Sequence, residues 1–127
     1  MGAKNIRVVI LKDGEVMARK ECSAGFDTTE SAKAVFAEAA QAAGISLEQI
    51  ERIAATGAGR ENAPYAQDKI TDVGAAAKGA VALFPSVRTV IDVGAEEGRA
   101  IKTDEFGKVI DHAVNEKCAA GAGSFTE

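Results

Sequence analysis

The sequence has no tryptophan, one tyrosine and five phenylalanines in 127 residues. The aromatic platforms on which single-stranded nucleic acids stack their bases are therefore missing. An excess of positive charge is missing too, since 15 lysines and arginines face 19 acids for a net charge of −4. The basic residues are scattered, with no run among them. Displacing counterions from a phosphate backbone needs a basic face, so this balance argues against a nucleic-acid binder. No apolar run approaches the ~18 residues of a membrane span, and the first residues carry no signal-peptide pattern. The two cysteines, Cys22 and Cys118, lie far apart and form no CxxC motif. That is no disulfide framework, and a reducing compartment is the simplest home. A soluble, cytoplasmic protein with no nucleic-acid or membrane partner is the expectation.

What is present is enough for a globular core. Apolar residues make up 46% and charged residues 27%, a balance that folds rather than remaining disordered. Ile6 to Leu11 and Val16 to Cys22 flank an Asp13-Gly14 turn and predict a β-hairpin, with Cys22 a small buried hydrophobe at its end. Ala32, Val35, Phe36, Ala39, Ala40 and Ala43 recur at three- and four-residue steps. They predict an amphipathic helix from about 29 to 43, capped by Thr28 or Thr29 and closed by Gly44.

Ser46 starts a further short turn. Arg52 to Thr56 reads as a short strand running into Thr56-Gly57-Ala58-Gly59-Arg60. That turn could present backbone N–H groups to a phosphate, but it has neither the GxGxxG nor the Walker lysine pattern, and a plain loop reads better. Lys69 to Val73 is a candidate strand, Gly74 to Phe84 a helix stopped by Pro85, and Val87 to Val93 the most apolar strand. Arg99 to Thr103 and Lys108 to Val114 complete a late meander, so the fold class is α/β with a mixed sheet.

Two stretches carry chemistry. In the first, Asp92 ends the apolar strand and precedes Gly94-Ala95-Glu96-Glu97. A carboxylate placed there can hold Mg²⁺ through water while turn amides face phosphate oxygens, and Glu96 or Glu97 can orient a water. The same residues also read as a hairpin entry with solvated acids. In the second, Lys117-Cys118 runs into small residues and a helix start near Gly123, conditions that favour a thiolate. One cysteine cannot hold an iron–sulfur cluster alone, and an inert thiol fits the residues as well. His112 has no ligand at metal spacing and is a poor catalytic or metal candidate.

Taken together, Thr89-Val-Ile-Asp-Val-Gly-Ala-Glu-Glu-Gly-Arg-Ala-Ile-Lys102 and Val114-Asn-Glu-Lys-Cys-Ala-Ala-Gly-Ala-Gly-Ser-Phe125 resemble the BadF/BadG/BcrA/BcrD ATPase family. Residues 10–14 and 55–60 fit the same family, which comprises activators of 2-hydroxyacyl-CoA dehydratases and ATPase subunits of benzoyl-CoA reductase. The resemblance implies the ribonuclease-H-like fold of actin, Hsp70 and sugar kinases, with two domains closing on ATP. It places residues 1–86 in most of the first domain and 87–127 at the opening of the second and the start of a cluster helix.

It further implies ATP or ADP with Mg²⁺ at Gly2, Asp92, Gly94, Ala95, Glu96, Gly121 and Gly123. Asp92 is then the magnesium ligand and Glu96 the catalytic residue. Cys118 becomes a ligand of a [4Fe-4S] cluster shared with a second ATPase subunit. ATP hydrolysis in such a protein drives low-potential electrons into a CoA-thioester reductase or dehydratase.

Many dehydratase activators read Gly-Gly-Gln-Asp at 94–97. The Ala-Glu-Glu found here is closer to the D-type polypeptide of the reductase. Only Met1 to Lys4 match the family's first phosphate loop, so a truncated chain that binds nucleotide weakly and hydrolyses none is the expectation. A sugar- or acetate-kinase-like phosphotransferase and a non-catalytic assembly domain of the same fold are the competing readings.

Overall fold

Asp13 and Gly14 both adopt positive φ, 52° and 80°, and join Lys12 to Glu15 in a two-residue hairpin loop. Such loops match the right-handed twist of the strands they connect. They join β1 (Asn5–Lys12) to β2 (Glu15–Ser23) in an antiparallel pair. The computed structural model describes residues 1–2, 4–93 and 98–115. These fall into two compact units divided between Ile70 and Thr71.

In the first unit, alternate residues of β1 turn inward. Ile6 and Ile10 are buried, while Val9 and Leu11 face solvent. Against the inward face lies α1 (Thr28–Ala43), which buries Ala32, Val35, Ala39 and Ala40. Phe36 and Ala43 from the expected stripe are half-buried. Phe36 instead meets Tyr65, ring centres 5.8 Å apart. The N-cap is Asp27 rather than Thr28 or Thr29: its carboxylate accepts the Glu30 amide at 3.1 Å. Asp27 has the extended backbone that a cap requires, and both threonines are already helical. At the other end Gly44 is left-handed, and the Ile45 amide returns to the Ala40 carbonyl at 3.1 Å, the geometry of a Schellman close. Cys22 is half-buried against Ile6, Ala24, Ala32 and Val35.

The strand expected over 52–56 shortens to β3 (Ala54–Ala55), which pairs in parallel with β4 (Asp68–Lys69). The Ile53 amide donates to the Gln67 side chain rather than to a strand. Arg52 forks onto the Asp68 carboxylate. Among the described residues, parallel and antiparallel pairing thus both occur, distributed over three small sheets.

The second unit opens with α2 (Asp72–Leu83), capped by the Thr71 hydroxyl on the Gly74 amide at 3.1 Å. This corrects the strand expected over 69–73: Asp72 and Val73 form the first turn of a helix, because Thr71 supplies a cap. The helix packs on an antiparallel meander of β5 (Thr89–Val93), β6 (Gly98–Thr103) and β7 (Val109–Asn115). Ile101, Ala77 and Thr103 lie at its centre, with Ile101 and Ala77 fully buried. The Thr103 hydroxyl donates to the Lys108 carbonyl at 3.0 Å, which meets the requirement that a buried polar group be paired.

Between β6 and β7, the Asp104 carboxylate accepts the amides of Phe106 and Lys108, both at 2.9 Å. These N–H groups, Lys108 first, hold its pKa below the ordinary 3.8. A carboxyl lowered on folding stabilises the protein above its unfolded pKa, and that stabilisation is lost as pH falls through the folded value. The melting temperature is therefore expected to decline as pH drops below about 4. Asp104→Asn should flatten that decline, and an unchanged pH profile in this variant would contradict the assignment.

Candidate functional site

Residues of β5 alternate, so Val90 and Asp92 share one face and Ile91 and Val93 the other. Asp92 lies directly opposite Arg99, because Val93 pairs with Gly98 across the four-residue connection. Arg99 donates from Nη1 to Asp92 Oδ2 at 3.0 Å and from Nη2 to Asp72 Oδ2 at 3.2 Å. Its side chain is only 16% exposed, against 41% for Asp92 and 29% for Asp72. A shielded guanidinium needs paired acids, and its planar fork reaches two at once. The three side chains thus tie the first turn of α2 to the end of β5. Two carboxylates on one guanidinium leave these three side chains net negative.

Among the described residues, Asp92 Oδ1 takes no hydrogen bond, so one carboxylate oxygen remains for a ligand. No group of three or more His, Cys, Asp or Glu able to hold a metal occurs among the described residues. That is compatible with magnesium at a nucleotide, which typically uses one or two protein carboxylates with phosphate and water completing the shell. Asp92 fits that demand.

Gly2 lies in the first unit, its amide donating to the Asn5 carbonyl at 2.8 Å. Beside it the Gly57–Gly59 turn is filled by Met1. The Met1 amino nitrogen donates to the Thr56 carbonyl at 2.6 Å, and the Gly59 amide donates to the Met1 carbonyl at 2.9 Å. The Gly59 N–H is thereby engaged within the fold, as a plain loop would have it. Gly94, Ala95, Glu96, Cys118, Gly121 and Gly123 lie outside the described residues. His112 is exposed on β7. A shallow hollow lined by Arg88, Lys102, Thr103, Asp104, Glu105 and Ile110 lies at the other end of the sheet, where Lys102 pairs with Thr89. Its mixed charges offer no chemistry comparable with Asp92.

Sequence reasoning reached Asp92 but missed Arg99 and Asp72 as its partners. The signal for Arg99 was available: a connection of 94–97 puts 92 opposite 99, a cross-strand charge pair. Asp72 became a partner only through the packing of α2 on β5 and β6.

The α/β fold is that of the ribonuclease-H-like ATPases, matched at TM-scores of 0.85 and 0.82 by solved dehydratase activators. The sequence profile of the BadF/BadG/BcrA/BcrD ATPase family matches residues 1–127, and the chain belongs to that family. It is 35% identical over its whole length to the activator of lactoyl-CoA dehydratase of Anaerotignum propionicum, covering 49% of that protein. It is 33% identical, again over its whole length, to the (R)-2-hydroxyglutaryl-CoA dehydratase activating ATPase of Acidaminococcus fermentans, covering 49% of it. Over 85 residues, 67% of the chain, it is 39% identical to the D-type polypeptide of Thauera aromatica benzoyl-CoA reductase, covering 30% of it. The solved activator of the 2-hydroxyisocaproyl-CoA dehydratase of Clostridium difficile, with bound ADPNP, superposes with a TM-score of 0.82 at 32% identity. That match covers 98% of this chain and 47% of the activator. The chain thus spans about half the length of the curated activators it matches. No described helix is long and apolar enough to cross a membrane.

Proposed function

We propose that this chain forms part of an ATP-dependent activator that delivers low-potential electrons to a CoA-thioester reductase or dehydratase. The observation that carries the reading is Asp92 at the end of β5, held on one oxygen by Arg99 and, among the described residues, without a hydrogen bond on the other. In this reading residues 1–86 belong to the first ribonuclease-H-like domain and 87–127 open the second.

The roles follow from the chemistry of each group. Asp92 would hold the magnesium of the nucleotide, and Gly94 and Ala95 would contribute to phosphate binding. Glu96 orients the attacking water, in the place where many activators carry glutamine. Gly121 and Gly123 complete the nucleotide contacts. Cys118 gives one thiolate to a [4Fe-4S] cluster, and the remaining ligands come from further cysteines and a second ATPase chain, as a homo- or heterodimer. Such a cluster supplies the low-potential electron. The cysteine segment is what favours this reading over a phosphotransferase, whose chemistry needs no thiol there.

Calorimetric titration of the 127-residue chain with Mg·ADP tests the reading. Weak, magnesium-dependent binding is expected, with no ATP hydrolysis by the chain alone. Asp92→Asn should abolish the magnesium dependence. A flat titration of the parent would favour the assembly-domain alternative, and measurable Mg-ATPase activity in the chain alone would contradict the account.

A further inference from the structure

We infer that Asp72 and Arg99 are positioning residues for Asp92: the guanidinium, braced by Asp72, fixes one oxygen of the Asp92 carboxylate and leaves the other for the hydrated cation of a nucleotide. The inference rests on the nucleotide reading of Asp92 given above.

Three features of the cluster support it. Arg99 reaches its two acids from a single planar fork, with Nη1 on Asp92 and Nη2 on Asp72. Fixing both nitrogens removes rotation of the guanidinium, and the bond it makes then restrains the carboxylate on β5. The graded exposure of the three side chains runs in the same direction. Arg99 is the most shielded, Asp72 intermediate and Asp92 the most open, the order expected of a brace, a support and a working group. The charge balance of the three also fits. Arg99 carries one positive charge against the two negative charges of Asp92 and Asp72, so these three side chains by themselves sum to a net negative charge.

Asp72 adds a link to the helix. It occupies the first turn of α2, where the helix dipole stabilises a carboxylate, and the Thr71 cap fixes that turn. The orientation of Asp92 is thereby coupled to the seat of α2 on the sheet. Partners that orient a metal ligand in this way are worth about 10–100-fold in metal affinity elsewhere.

The test uses Arg99→Met, Arg99→Lys and Asp72→Asn in the 127-residue chain. Each is titrated with ADP in excess Mg²⁺ and again in EDTA, and its urea midpoint is measured alongside. Arg99→Met should weaken Mg·ADP binding about tenfold or more and leave metal-free ADP binding unchanged. Arg99→Lys keeps the charge without the fork and should recover part of the loss. Asp72→Asn should lose less than Arg99→Met, because the Arg99–Asp92 contact survives.

A purely structural tie predicts a different result: both titrations weaken together, in step with the urea midpoint, and that outcome overturns the inference. Mg·ADP binding in Arg99→Met as tight as in the parent, or tighter, overturns it as well while the nucleotide reading stands. A parent chain that binds ADP equally with and without Mg²⁺ removes the metal role of Asp92 itself, and the inference falls with it.

Discussion

Ile101→Ala is expected to destabilise the second unit by about 2–5 kcal/mol, the range for deleting a buried aliphatic side chain where the surroundings relax only partly. Ile101 is fully buried at the centre of β6. The meander has strands on both sides of it, and α2 packs on the same sheet. With Thr103 and Ala77 it makes up the buried centre of that unit, and neither neighbour is large enough to fill the space left by three methyl or methylene groups. The control is Ile91→Ala on β5, a residue 68% exposed on the opposite face. Surface changes of that kind fall within about 0.5 kcal/mol. Urea denaturation of both variants decides the matter. Equal losses at the two positions would contradict the assignment of faces.

The effect should also reach the site. Arg99 and Ile101 share a strand face, so loosening β6 over α2 shifts the base from which Arg99 holds Asp92. Nucleotide affinity in Ile101→Ala should fall even where the protein remains folded.

Gly57→Ala should be strongly destabilising in the first unit. Gly57 has φ +95, a conformation side-chain-bearing residues rarely adopt, and such strain costs about 1–3 kcal/mol. Space is lacking as well. A Cβ at this position would lie 2.2 Å from the Met1 carbonyl oxygen and 2.8 Å from its carbon. Both are backbone atoms, so relief requires Met1 to leave the turn. Its bonds to the Thr56 carbonyl and the Gly59 amide would go with it.

Gly59→Ala separates the two causes. Gly59 has an ordinary negative φ of −93. Its added Cβ would meet Met1 Cβ at 3.2 Å and the Met1 carbonyl oxygen at 3.4 Å, which a small shift accommodates. A loss under about 1 kcal/mol is expected there. Denaturation midpoints showing Gly59→Ala as damaging as Gly57→Ala would refute this account of the turn.

The local elements were the legible part of this chain. Asp13-Gly14 between two alternating runs announces a hairpin, because few residue pairs adopt two successive positive φ angles. The spacing of Ala32, Val35, Ala39 and Ala40 announces α1 because helix periodicity survives in any fold that buries one face. Boundaries were harder to read where polar residues compete. Asp27, Thr28 and Thr29 are all good caps, and only the backbone shows that Asp27 holds the position. Thr71 looks like part of a strand until its hydroxyl is seen on the Gly74 amide.

The site was legible only where it is local. Asp92 stands out because an acid ends an apolar run before a glycine. Arg99 and Asp72 do not stand out. The role of Arg99 depends on strand register, and that of Asp72 on where α2 packs. The glycines at 57 and 59 illustrate the opposite case. They suit a phosphate turn in sequence, yet in the fold they make room for Met1.

Amide chemical-shift mapping of the ¹⁵N-labelled chain with Mg·ADP tests the central claim most directly, because it locates the nucleotide as well as detecting it. The shifts are expected to concentrate on Asp92, Val93, Gly98 and Arg99, to extend to Asp72, and to shrink on removal of Mg²⁺ to the weaker pattern of metal-free ADP. Shifts centred on the Gly57–Gly59 turn or on the hollow beside Arg88 and Lys102, or none at saturating ligand, would contradict it.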